Sequence, residues 1–323
     1  ISDGVLAVQI PSWRTDVTQR QDIIEEIARI AGYDRLPATL PTGDTQAVHR
    51  DPMYRFRTGA RTALVSAGFN EAVTYLTIDH QDVDRFSYDG AAGIVALAET
   101  DALLSLRNAL QADRNILRPT LIPSLLVPLA ENLRHESGVR LAELARVYIP
   151  SADRVLPVEI EVVGLVAAGS RQRLDLDGDT RAIDFRDMKG AIESTLQRLG
   201  ATVWQVKRWT HPAFHPGRAA EITVDDQVVA RFGELHPEIS AAYGIEEHRV
   251  LAGEINLSAL IDLIPARGRD AVVPRALPVR QDFAVVVDAD TAAADVEAAF
   301  RAGAGPLLTD ITLFDQFAGA QIG

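Results

Sequence analysis

"GVRLAELARVYIPSADRVLPVEIEVVGLVAAG", residues 138–169, decides how the rest of the chain is read. Up to Pro150 it alternates apolar and polar residues with the period of two that a strand requires. Residues 159–169 read as a second strand close behind the first. Further hairpins and pairs follow. "AAEITVDDQVVARFGEL", residues 219–235, turns near Asp225-Asp226, and "VLAGEINLSALIDLI", residues 250–264, goes from strand to helix. "DFRDMKGAIESTLQRLG", residues 184–200, is an amphipathic helix with Asp184 as its N-cap and Gly200 closing it. On the other side, "MYRFRTGARTALVSAG" (53–68) is helical and opened by Pro52, a good first helical residue. "EAVTYLTI" (71–78) reads as a strand, and "TLIPSLLVPLAENLRH" (120–135) is apolar at helical spacing. Strands in pairs with helices between some of them predict an α+β unit: a mainly antiparallel sheet with helices packed on it.

Smaller units are expected on both flanks. "VLAVQI" (5–10) reads as a strand ending at Pro11. A helix is predicted from Arg20 to Ala31, with Ile23, Ile24, Ile27 and Ile30 as its apolar stripe and Gly32 as its cap. Residues 36–52 are rich in turn formers and read as a linker. Beyond the basic, proline-containing stretch 265–278, "VRQDFAVVVD" (279–288) reads as a strand and "TAAADVEAAFRAG" (291–303) as a helix. "PLLTDITLFDQF" (306–317) reads as a second strand. This β-α-β is half of a split β-α-β-β-α-β pattern. The expected domains are 1–40, 41–265 and 275–323. A strand opening one end and one due at the other predict a piece of a longer polypeptide.

The sequence has 323 residues, enough for two or three domains, and its 47% apolar and 24% charged content is that of a soluble globular protein. Apolar runs such as "LIPSLLVPLA" are short and broken by proline, and no basic region precedes an apolar stretch at the N-terminus. Cysteine is absent, which excludes disulfides and thiolate metal sites and fits the cytosol. The net charge of −13 argues against wrapping nucleic acid with the whole surface. Lys189 and Lys207 are the only lysines, so arginine carries nearly all the positive charge.

The sequence has no glycine-rich phosphate loop and no G-x-S-x-G elbow. "HPAFH", residues 211–215, sets two histidines four apart, but Pro212 and Pro216 oppose the helix a zinc pair would need. "HPAFHPGR" reads instead as a rigid loop, with Arg218 available to an acid of the core. Asp16, Asp22, Glu25 and Glu26 form a cluster at the start of the first helix. Acids there favour the helix dipole and need no ligand, so spacing alone prefers a solvated face. Yet Asp22 and Glu26 share a face, Glu25 is three residues from Asp22, and Asp16 can fold back on a turn. Carboxylates so close repel unless protonated or bridged by a cation, and hard oxygen donors suit Mg²⁺.

Several stretches together resemble one family. "VQIPSWRTDV…DIIEEIARIAGYDRLP" is similar to the small domain before the core of the bacterial phenylalanyl-tRNA synthetase β subunit. "ADRNILRPTLIPSLLVPLAENLR", "DFRDMKG", "HPAFHPGRAAEI" and "FGELHPEI" resemble its core. "PVRQDFAVVVD" and "LTDITLFDQFAG" resemble the start of its ferredoxin-fold anticodon-binding domain. The resemblance runs in the family's order along nearly the whole chain. It implies a subunit of an α2β2 phenylalanine–tRNA ligase, which uses ATP, with the active site on the α subunit. The β core is implied to be a degenerate class II synthetase-like fold used for assembly, with tRNA bound by the complete subunit and no DNA or membrane partner. It also implies a Mg²⁺ site, shared with the α subunit, at Asp16, Asp22, Glu25 and Glu26, and no catalytic residue here. Ala142 departs from the family's usual phenylalanine. Two other classes remain as alternatives: a metal hydrolase using these acids and the histidines of 211–215, and a winged-helix regulator. The helix of 20–31 is net negative, which opposes the second.

Overall fold

The structure, a computed structural model, describes residues 4–43, 51–86, 103–111, 113–151, 153–171, 181–264 and 276–317. It divides into two compact units, Ile1–His49 and Arg50–Gly323.

The first unit is built around α1 (Arg20–Ala31). The Asp22 carboxylate accepts the N–H groups of Thr18 (2.7 Å) and Gln19 (2.8 Å), fixing the chain as it enters the helix. Gly32, at φ +93°, ends it by returning its N–H to the Ala28 carbonyl at 2.9 Å. The expected strand over 5–10 does not form: Val5 makes one isolated bridge and residues 6–10 have no ladder. An apolar segment becomes a strand only beside another strand, and the described residues of this unit supply none. The isoleucine stripe is present but uncovered within the unit, with Ile24, Ile27 and Ile30 exposed and no residue of α1 buried.

The second unit opens with α2 (Pro52–Ser66), whose N-cap Asp51 accepts from the Met53 N–H. Then come β1 (Asn70–Glu71), β2 (Thr77–Ile78), α3 (His80–Arg85), β3 (Ile116–Leu117) and α4 (Ile122–Leu133). The long hairpin β4 (Gly138–Ile149) and β5 (Val158–Gly169) leads to α5 (Phe185–Leu199) and β6 (Gln205–Arg208). β7 (Phe214–Val224), β8 (Gln227–Leu235), α6 (Pro237–Ala242), β9 (Val250–Asn256) and α7 (Leu257–Leu263) complete the core. α8 (Ala293–Ala304) follows.

Seven strands form one sheet in the order β1-β4-β5-β9-β8-β7-β6, antiparallel throughout except for the parallel β1–β4 pair. The β7–β8 turn carries Asp225 and Asp226 at φ +47° and +61°, the two positive angles that a tight two-residue hairpin needs. Residues alternate between two cores. Val163, Leu165 and Ala167 of β5 join residues of α2, α5 and α7. Val162, Val166 and Ala168 join Leu125, Leu126 and Leu129 of α4. Both faces of β5 from Val162 to Ala168 are therefore dry, which explains its nearly continuous apolar run. The observed architecture is the mixed α+β one, with a large, mostly antiparallel sheet.

Three further sequence expectations are corrected. Residues 71–78 are not one strand: β1 ends at Glu71 on the large sheet, and β2 pairs with β3 in a separate two-stranded sheet. Between them Thr74 gives its N–H and hydroxyl to the Glu143 side chain (3.2 and 2.6 Å), so this backbone leaves the ladder. "HPAFHPGR" is not wholly a loop, because Phe214–Arg218 open β7; the register shifts between Phe214 and Ala219, around Pro216 and Gly217. Proline has no N–H for the ladder, so the strand bulges there. Residues 279–288 and 306–317 flank α8 as predicted but form no strands, and the Phe283 and Phe300 rings meet at 5.7 Å. A split β-α-β leaves a gap between its strands for a third, and no such strand lies among the described residues. Residues 44–50 of the first linker, 265–275 of the second and 318–323 lie outside the described residues.

Candidate functional site

The four acids of the first unit do not converge. Asp16 is gripped by Arg14, whose Nε and Nη2 lie 2.9 and 2.7 Å from its two oxygens. The same Nη2 donates to Glu26 at 2.7 Å, and Arg29 donates to the other Glu26 oxygen at 2.5 Å. Asp22 is occupied with the N–H groups of Thr18 and Gln19. Glu25 is exposed. Among the described residues no three acids or histidines are placed to hold a metal ion. The donor type suits Mg²⁺, but the arrangement does not fit it: Arg14 holds oxygens that the ion would need. Sequence reading missed Arg14, although its place two residues before Asp16 is visible.

These contacts set the acidity of the cluster. Arg14, and then Arg29, hold the Glu26 carboxyl down at about 2, against an ordinary 4.5. Arg14 likewise lowers Asp16, and the Gln19 and Thr18 backbone lowers Asp22. A carboxyl depressed by folding stabilises above its ordinary value and loses that stabilisation as pH falls toward its folded value. The window for Glu26 thus runs from 4.5 down to about 2. A carboxyl NMR titration should place the Glu26 midpoint near 2, and Arg14→Gln should move it up toward 4.5. A midpoint near 4.5 in both proteins would show that the arginine contacts do not persist in solution.

In the second unit, polar residues cross the sheet beneath α4. Cross-strand register runs Glu143, Gly164, Glu254, Arg231, Glu221, Lys207. Glu143 is buried and takes Arg118 at 3.0 Å, while Arg118 also donates to Thr74 Oγ1 at 2.8 Å. Glu254 is fully buried and accepts the Thr120 hydroxyl (2.5 Å) and the Leu121 N–H (2.6 Å), so β9 anchors the start of α4. At Gly164 a Cβ would lie 2.6 Å from Leu121 Cβ, which shows how closely α4 rests on β5. Arg231 pairs with Glu221 at 3.2 Å and lies over the Trp209 ring.

The two histidines of "HPAFH" do not form a metal pair. His211 is stacked on Trp209 and accepts the Ala213 N–H at 3.1 Å, whereas half-buried His215 approaches the Pro216 carbonyl. Burial and Arg231 push the His211 pKa down. Arg218 meets Glu234 at 2.9 Å, the core acid expected for it. A shallow cleft of about 490 Å³ lies where the end of α2 meets the start of α5, beside Arg140, Arg171, Arg186 and Asp187. Asp187 there holds Arg171 (3.1 Å) and Arg181 (2.9 Å).

Comparison with known proteins decides what this arrangement belongs to. The model of the phenylalanyl tRNA synthetase beta chain CLM domain matches residues 36–257. This chain belongs to the phenylalanyl-tRNA synthetase β-chain family. The tRNA synthetase B5 domain matches residues 1–33. The phenylalanine–tRNA ligase β subunit of Symbiobacterium thermophilum is 35% identical over 99% of this chain and 35% of its own length. Those of Moorella thermoacetica and Chromobacterium violaceum are each 34% identical, also over 99% of this chain, and over 39% and 38% of their lengths. The chain thus spans well under half of these relatives. Nothing in the matches supports a hydrolase or a DNA-binding regulator. Among the described residues no helix is long and apolar enough to cross a membrane.

Proposed function

We propose that this chain is part of the β subunit of a phenylalanine–tRNA ligase, and that it serves assembly and tRNA binding while another subunit performs catalysis. The observation that carries the non-catalytic reading is that the central strands of the sheet are covered on both faces. α4 packs on β4, β5 and β9 from one side and α2, α5 and α7 pack on the other, and among the described residues no deep pocket with converging polar groups opens over these strands. The whole enzyme would be a cytoplasmic α2β2 ligase attaching phenylalanine to its tRNA with ATP, its active site on the α subunit.

The finer organisation follows the same reading. Residues 1–40 belong to the small domain before the core, 41–265 to a class II synthetase-like core, and 275–323 to a partial ferredoxin-like anticodon-binding domain. Mg²⁺ would be held by Asp16, Asp22, Glu25 and Glu26 in a structural role, at the boundary with the α subunit. Their hard oxygens support this, and binding requires Arg14 to leave Asp16 and Glu26.

An α subunit needs a surface to grip. Val73 and Tyr75 stand out beside β1, the edge strand of the sheet, with 90% and 74% of their surface exposed. Apolar residues at a sheet edge are suited to burial by a partner. Co-expression with an α subunit should yield a stable complex, whereas the chain alone should self-associate. A monodisperse monomer that does not co-purify with α would contradict the proposal.

A further inference from the structure

We propose that the cleft between the end of α2 and the start of α5 is a phosphate subsite, and that it takes a backbone phosphate of the bound RNA. The RNA source rests on the tRNA-binding reading given above; the subsite itself rests on charge. Of the described residues, Arg140, Arg171 and Arg186 line the cleft against a single acid, Asp187. Asp187 is already shared between Arg171 (3.1 Å) and Arg181 (2.9 Å). Asp184 is occupied too: it caps α5 through the Arg186 and Asp187 N–H groups and meets Arg181 at 2.6 Å. Those N–H groups are therefore taken, so guanidinium groups and not the helix end would hold an anion. Arg140 and Arg186 are left without a carboxylate among the described residues. Half-buried Arg140 has one acceptor, the Arg171 carbonyl at 2.5 Å. It stands beside the end of α2, where a Cβ on Gly68 would lie 3.7 Å from its Nη1. A helix C-terminus supplies about half a negative charge, which does not neutralise a guanidinium. Burial pushes the Arg140 pKa down, and the Arg171 and Arg181 charges add to this against Asp187. The chain as a whole is acidic, at −13, so this under-neutralised cleft is a place where it can meet a polyanion. Phosphate oxygens project from a nucleic-acid backbone and reach a shallow cleft, and guanidinium forks match them two at a time.

The test uses the chain assembled with an α subunit, as wild type, Arg186→Gln, Arg140→Gln/Arg186→Gln and Arg198→Gln. Arg198, exposed in the last turn of α5, is the control for a lost charge. One probe is inorganic phosphate, read by thermal unfolding against chloride at equal ionic strength. The other is tRNA(Phe), read by binding at several salt concentrations. Phosphate should raise the wild-type and Arg198→Gln midpoints by about 2–4 °C and leave the double variant unmoved. The double variant should bind the tRNA about tenfold more weakly, with a salt slope reduced by about 1. Arg186→Gln, a change at an exposed side chain, should show part of both effects. Equal tRNA affinity in all four proteins would overturn the RNA assignment. Equal phosphate protection in all four, or none in any, would overturn the subsite. Weaker association of the double variant with α, at unchanged tRNA affinity, would assign the anion to a partner carboxylate and overturn the proposal. Absence of tRNA binding by the wild type would overturn the tRNA-binding reading and the RNA source with it, while phosphate protection would still decide the subsite.

Discussion

Arg118→Met should destabilise the second unit by about 3–5 kcal/mol, because it leaves the buried Glu143 charge without its partner. Both side chains are at most 5% exposed, and they meet at 3.0 Å. Arg118 also donates to Thr74 Oγ1 and the Tyr75 carbonyl, so it ties the 72–76 crossover to β4. Urea unfolding should show a lower midpoint with a little-changed slope. Pairing the change with Glu143→Gln should recover much of the loss, since the uncompensated charge causes most of it. A loss below about 1 kcal/mol in Arg118→Met would mean that water reaches Glu143 and that the pair is not buried in solution.

Glu254→Leu should cost about 3 kcal/mol, the range for stranding buried donors of a charged acceptor. The carboxylate sits at 0% exposure and receives Thr120 Oγ1 at 2.5 Å and Leu121 N at 2.6 Å. Leucine fills similar space but accepts nothing, so both donors are left in an apolar core. Thr120→Val, which removes one donor and keeps the acceptor, should cost only about 1 kcal/mol. Amide exchange at Leu121 and Leu125 should quicken in Glu254→Leu as the start of α4 loosens. Unchanged protection at Leu121 would show that α4 is seated by packing alone.

What the sequence reveals here depends on how far each contact reaches along the chain. α1, α2 and α5 announce themselves through local chemistry: Asp51 and Asp184 cap their own helices, and Gly32 and Gly200 end theirs. The Asp225-Asp226 turn is equally local. Strands are harder, since a strand exists only through a neighbour. Residues 5–10, 279–288 and 306–317 have the right composition and no partner among the described residues. The Glu254–Thr120 bond joins residues 134 apart, and no spacing rule points to it. Charges at 143, 221, 231 and 254 look like a solvent face in the alternation of their strands, yet Arg118 and Thr74 bury the first and the start of α4 the last. For the acids of the first helix, composition shows four carboxylates but not that Arg14 bridges two of them. Family membership was legible from ordered motifs, a signal independent of these contacts.

Phenylalanine-dependent exchange of pyrophosphate into ATP tests the central claim most directly. It reports formation of the aminoacyl-adenylate, the step that the proposed reading assigns to another subunit. The purified chain, free of α subunit, should give no exchange above the blank at any Mg²⁺ concentration, and activity should appear only when α is added. Phenylalanine-dependent exchange by the chain alone, abolished by a substitution within residues 51–264, would contradict the account.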